Sequence, residues 1–261
     1  MTFTIIDQLW LIPLGFVAGV LGSMIGLGGG IIVVPVLTFF GFSPTLAASN
    51  SLFAAFSNSV ASTISYSRQK RIEYSLALKL GLLTIPGTIL GAYISSDVTP
   101  EIFKILFGFV LIASSAYIFL RKKIEGKEKN LTKQMMIFAA GASFFAGIIS
   151  AFFGIGGGII FVPLMIVGMG IAMKKAAPTS QLILLFASLS GVIVHTMLGH
   201  SDFLQGGLLS VGSFAGGLLG ARLSVDIKER FLQILVSVVI IGAAIKMFFD
   251  SLSGNLNLLN N

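Results

Sequence analysis

The chain reads as an all-α integral membrane protein made of two inverted-topology repeats, each with about five helical elements. Three observations predict this. Of 261 residues, 55% are hydrophobic and only 10% are charged, with a mean hydropathy of +0.98. A soluble domain carries roughly 25% charged residues. Apolar runs recur at 46–66, 75–95, 102–120, 134–152, 176–197, 203–223 and 231–249, each near the roughly 20 residues that cross a bilayer. Finally, residues 18–35 (AGVLGSMIGLGGGIIVVP) return at 146–163 as AGIISAFFGIGGGIIFVP. Backbone groups in lipid must be satisfied within their own segment, so the runs predict helices. The alternating ten-residue segments of a β-barrel are missing.

The first element, 9–41, is broken by glycines. Three successive glycines, Gly28, Gly29 and Gly30, make poor helix interior, each costing roughly 1 kcal/mol relative to alanine. Pro35 follows five residues later and favours a position near a helix start. The segment therefore predicts a helix, a glycine turn and a new helix, with Pro35 as a structural hinge. Gly156, Gly157, Gly158 and Pro163 repeat the arrangement in 134–170. A new helix begun inside the membrane presents free N–H groups and a positive dipole end, which suits an anion. Gly15, Gly19, Gly22 and Gly26 are spaced instead for close helix packing.

In the helix at 46–66, Asn50, Ser57 or Asn58, and Ser65 recur near helical spacing and form a polar stripe, with Ser51 beside Asn50. Its counterpart at 176–197 carries Thr179, Ser180, Gln181 and His195. Hydroxyls and amides can donate to an anion without burying a charge. Asn50, Ser51, Thr179, Ser180 and Gln181 begin the helix after each broken segment and are the expected substrate-binding residues, together with the glycine triplets. Interhelical hydrogen bonding is the competing structural use of such groups. Asn58 and His195 are candidate proton or substrate contacts. His195 aligns with Tyr66, and His200 falls in a loop.

After one inserted residue the repeat continues to the end of the next spans. Ala47, Ala48 and Ser51 match Ala176, Ala177 and Ser180. Gly87, Gly91 and Ala92 match Gly216, Gly220 and Ala221. The halves are 1–120 and 134–250, joined by a linker at 121–133 and followed by a polar tail at 251–261. Loop charge sets their relative orientation. Loop 67–74 has Arg68, Lys70 and Arg71, and its counterpart near 196–203 has no Lys or Arg. Loop 41–46 has none, and its counterpart 169–175 has Lys174 and Lys175. Loop 95–101 has none, and 224–230 has Lys228 and Arg230. Basic loops favour the cytoplasm, so corresponding loops are expected on opposite sides. Both termini are then outside and the linker is inside. Each glycine segment goes in and comes back, which gives ten helical elements, or eight by hydropathy if the arms are short. Residues 1–27 read as a first membrane element, not a signal peptide.

Other function classes lack their raw materials. The net charge of +7 does not indicate nucleic acid, because six of the 17 basic residues sit in the linker. With no cysteine, two histidines and no carboxylate deep in a span, neither a catalytic pair nor a metal site is expected, and no cofactor. GLGGGIIVVP and GIGGGIIFVP lack the Lys-Ser/Thr of a nucleotide loop. The expected partners are a small anionic substrate, the lipid bilayer and a coupling ion, proton or sodium. Doubled, glycine-broken membrane segments are the mark of a secondary transporter with its site between the halves. An anion channel and a scaffold subunit are the alternatives, and no oligomeric state is specified.

On these residues the chain resembles the sulfite exporter TauE/SafE family. The marks are the paired GxGGGxxxVP segments (Gly26 to Pro35, Gly154 to Pro163), the starts Asn50-Ser51-Leu52 and Thr179-Ser180-Gln181, and the paired GxxxGA. The family's usual Thr-Ser-Leu is altered in each half. The resemblance implies transport, across the cell membrane, of a small sulfur-containing anion such as sulfite, thiosulfate or an organosulfonate.

Overall fold

A computed structural model describes residues 8–120, 132–225, 241, 242 and 245. Most of the linker, the expected span at 231–249 and the polar tail lie outside the described residues. All regular structure among the described residues is helical: α1 (Leu11–Ile25), α2 (Gly30–Phe39), α3 (Pro44–Arg68), α4 (Tyr74–Ser96), α5 (Pro100–Leu120), α6 (Lys133–Phe153), α7 (Gly158–Pro163, continued by a π-helical turn at Leu164–Gly168), α8 (Met173–Met197) and α9 (Phe203–Leu223).

The ends follow local chemistry. Ser43 caps α3 by accepting from the Leu46 N–H at 3.4 Å, with Pro44 at the first helical position. Thr132 caps α6 in the same way through Met135. Asp202 caps α9, accepting from Leu204 and Gln205. α1 and α6 both stop at a left-handed glycine, Gly26 (φ +80°) and Gly154 (φ +72°).

Polarity runs inside out. Ser49, Asn50, Ser51, Asn58, Ser59, Ser62, Thr179, Ser180, Gln181 and Ser188 are fully buried, while Phe138, Phe145 and Val211 are 70%, 63% and 63% exposed. An apolar exterior around a hydrogen-bonded polar interior suits lipid, not water. α4, α6, α8 and α9 are long and apolar enough to cross a membrane. α3 is long enough but carries the polar stripe.

The halves interlock by exchange. α1 packs on α9 and α4 on α6, while α9 also meets α3, α4 also meets α8, and α3 packs on α8. Small residues permit these seams. A Cβ at Gly87 or Gly91 would strike the Phe144 or Ile148 carbonyl, and one at Gly216 or Gly220 would strike those of Phe16 and Val20. These contacts map onto each other under the sequence repeat. At Gly15 and Gly19, expected to serve packing, α1 abuts the Leu209 and Ser213 backbone. α5 closes one flank with Phe103, which meets Phe153 edge to face at 5.3 Å between centroids, and Phe107, which stacks on it at 5.1 Å.

The two prolines sit later than a helix-start reading expects. Both lie at the sixth helical residue, because α2 and α7 begin at the last glycine of each triplet. α2 carries Pro35 without leaving α geometry. Pro163 instead ends α7, and the chain continues as the π-helical turn. A proline ring crowds the carbonyl four residues back and removes one helical donor.

Candidate functional site

The two glycine turns meet in the middle of the fold. In the first, the Gly26, Leu27 and Gly28 N–H groups all point to the Gly22 carbonyl, at 3.0, 3.0 and 3.3 Å. Gly28 and Gly156 occupy the left-handed region (φ +75° and +78°), where side chains are strained. Gly29 and Gly157 differ, at φ −73° and +81°. A Cβ at Gly30 would meet the Gly154 carbonyl, and one at Gly158 would meet that of Gly26. Each new helix thus starts directly against the opposite turn.

The predicted hydroxyls lock this contact reciprocally. Ser51 Oγ donates to the Gly154 carbonyl at 2.8 Å, and Ser180 Oγ donates to the Gly26 carbonyl at 2.7 Å. Asn50 and Thr179 face the opposite half's loop. Asn50 Oδ1 accepts from the Asp202 N–H at 3.2 Å, and Thr179 Oγ1 accepts from the Glu73 N–H at 3.0 Å. Asn50 Nδ2 also donates to Gln205 Oε1 at 2.7 Å. Gln181 donates to the Gly22 carbonyl at 3.0 Å and accepts from Ser59 at 3.4 Å. The predicted residues therefore assemble around one interface, and their side chains hold it shut. Interhelical bonding and a place at the central interface are combined in the same groups.

Asn58 lies apart, beside Gly217. Its Oδ1 accepts from Ser62 at 3.4 Å, while its buried Nδ2 has no partner. An unpartnered buried amide costs about 1–3 kcal/mol. Gly217 leaves it room: a Cβ there would come within 2.5 Å of Asn58 Oδ1. His195 lies outside this centre, with Nε2 2.9 Å from the Ala151 carbonyl.

Leu184 was not singled out by its sequence, yet it fills the centre. Its Cδ2 would lie 2.7 Å from a Cβ on Gly28 and 3.1 Å from one on Gly156. The first half has Ala55 at the equivalent place. The signal was available: in a doubled sequence, an unequal pair marks where one half supplies bulk for both.

The loops also sort by charge. Arg71 donates through Nε to the Lys174 carbonyl at 2.8 Å and through Nη1 to Ser224 Oγ at 3.0 Å. Lys175 pairs with Glu73 at 2.7 Å. The three basic loops thus meet at one end. Base-free loops meet elsewhere, with Ser96 Oγ 3.5 Å from His200 Nε2.

Helices that expose large apolar side chains and bury hydroxyls define the class, a multi-pass helical membrane protein with a polar central interface. The sulfite exporter TauE/SafE family matches residues 11–247, and the chain belongs to that family. Similar proteins include the probable membrane transporter protein YunE of Bacillus subtilis, 28% identical over 93% of this chain and 97% of that protein. The probable membrane transporter protein YfcA of Escherichia coli is 24% identical, over 90% and 87%. No solved structure matches the chain. Family and relatives together place it among membrane transporters.

Proposed function

We propose that the protein is a secondary transporter that carries a small sulfur-containing anion, such as sulfite, thiosulfate or an organosulfonate, across the cell membrane. It works by alternating access around the paired glycine turns. The carrying observation is the reciprocal lock, Ser51 on the Gly154 carbonyl and Ser180 on the Gly26 carbonyl. Rocking one half against the other parts these contacts. The hydroxyls, the glycine N–H groups and the α2 and α7 starts then face a polar cavity suited to an oxyanion. Full burial of Ser51 and Ser180 favours alternating access over an open channel.

The halves, 1–120 and 134–250, are inverted in this reading. The meeting of loops 67–74, 169–175 and 224–225 at one end supports it, because their sequence counterparts are base-free. The basic end faces the cytoplasm with the linker, and both termini face outward.

The test is thermal stabilisation of the purified protein by sulfite, thiosulfate, sulfate, short sulfonates and carboxylates at constant ionic strength. A specific anion at 100 times its dissociation constant stabilises by about 2.7 kcal/mol. Ser51→Ala and Ser180→Ala are expected to abolish the shift. A panel without any selective shift would overturn the sulfur-anion reading.

A further inference from the structure

Each half ties the end of its first helix with a side chain from its third. In the first half, Tyr66 Oη donates to the Ser23 carbonyl at 2.8 Å. In the second, His195 Nε2 lies 2.9 Å from the Ala151 carbonyl. The repeat aligns Tyr66 with His195 and Ser23 with Ala151, so these are one contact made twice. The next layer is also equivalent. Arg71 lies 5.2 Å from the Tyr66 ring centroid, and its counterpart, His200, places Nδ1 3.2 Å from His195 Nδ1. One copy of the device is Tyr–Arg, and the other is His–His.

The hydrogen-bond network determines the tautomers. A carbonyl only accepts, so His195 Nε2 carries hydrogen. The Nδ1 of neutral His195 is then bare and accepts from Nδ1–H of His200. His200 Nε2 is bare in turn, 3.5 Å from the Ser96 Oγ. One added proton leaves this geometry intact, because it sits on His200 Nε2, or on His195 Nδ1 with His200 switching tautomer. A second proton puts hydrogen on both facing Nδ1 atoms and two like charges 3.2 Å apart, and the contact fails.

We propose that His195 and His200 form a single-proton site at the base-free end of the molecule, where the equivalent Tyr66–Arg71 pair at the basic end does not titrate. Taken with the transporter reading, on which this consequence rests, the coupling ion is a proton and the site responds to pH on one side only. The surroundings leave the pair to titrate largely by itself. α3 contributes Ser49, which bonds Ser201 at 2.6 Å. α4 contributes Ser96, with Asp97 at its end. α6 contributes the Ala151 carbonyl. The α8–α9 loop contributes Ser201 and Asp202, whose carboxylate is taken by the Leu204 and Gln205 N–H groups. No hydrogen bond joins Asp97 or Asp202 to either ring among the described residues. Burial holds His200 below the ordinary imidazole range, which matches its neutral donor–acceptor role at pH 7.

The chain has two histidines in all, so imidazole-labelled protein gives two ring signals by NMR. On titration downward from pH 8, both rings are expected to report the same first step, the uptake of the single proton, with any second step more than about one pH unit lower, as interacting sites show. His200→Asn leaves His195 with a single step. His195→Tyr with His200→Arg copies the other end, so it keeps the Ala151 bond. That variant is expected to melt near the parent at pH 8 and to lose the parent's change in melting temperature between pH 7 and pH 5. Two independent steps at the ordinary imidazole value, or a pH response that survives the double replacement, would overturn the proposal. These readouts need no substrate, so a failed anion screen and a failed proton site are distinguishable.

Discussion

Leu184 carries the sharpest single-residue consequence. It fills the space between Gly28 and Gly156 from one side, where Ala55 on the other side reaches less far. Truncating it removes packing that neither glycine can replace. Leu184→Ala is expected to destabilise by about 2–5 kcal/mol, and Leu184→Met by less than about 1.5 kcal/mol, as read by melting of the purified protein. If the central gap sets substrate size, the alanine variant is also stabilised by bulkier sulfonates that leave the parent melt unmoved. Equal melting of the two variants would deny Leu184 its central place. The sequence alone offered Leu184 as one apolar residue among many on an apolar helix. Its meaning depends on two glycines from different halves meeting over it.

For the helices, the same small residues recur with distinct roles. Gly87 and Gly216 lie where α4 and α9 touch the backbones of α6 and α1. Gly141, also on α6, has nothing within 4 Å of an added Cβ. Gly87→Ala and Gly216→Ala are each expected to cost about 1–3 kcal/mol through overpacking. Gly141→Ala should be neutral or stabilise by up to roughly 1 kcal/mol, the helix-propensity gain. Melting of the three variants checks the contrast. Pro35 and Pro163 teach a related lesson. Their sequence contexts are nearly identical, yet only Pro163 gives way to a π turn. Local sequence treats the two prolines alike and does not distinguish the α course through Pro35 from the π turn after Pro163.

Across the whole molecule, the asymmetry of loop charge becomes a statement about sides. The chain has no cysteine, so a single introduced thiol reports cleanly. A cysteine at Lys70 is expected to react with a membrane-impermeant reagent only from the cytoplasmic side, and one at Gly199, its counterpart under the repeat, only from outside. Reaction of both from the same side would sink the inverted arrangement. Within the membrane, the exchanged seams α1–α9 and α4–α6 mean that neither half holds its own first helix by its own fourth. On the alternating-access proposal, parting the halves would move pairs drawn from both repeats.

The sequence by itself determined the lipid-facing class, the doubling, and the residues gathered at the centre. Composition fixes solvent, and a repeated glycine–proline segment must form related structures twice. It also aligned Tyr66 with His195. Only the tertiary structure decided what those residues do to one another. Ser51 and Ser180 could have bonded within their own half, and they reach instead for the opposite turn. Asn50 and Thr179 could have lined an open site, and they hold the loops before α9 and α4. Hydrogen bonds of this kind are short-ranged and directional. Which pair forms is set by the backbone approach across the interface, and no local pattern of residues specifies that approach.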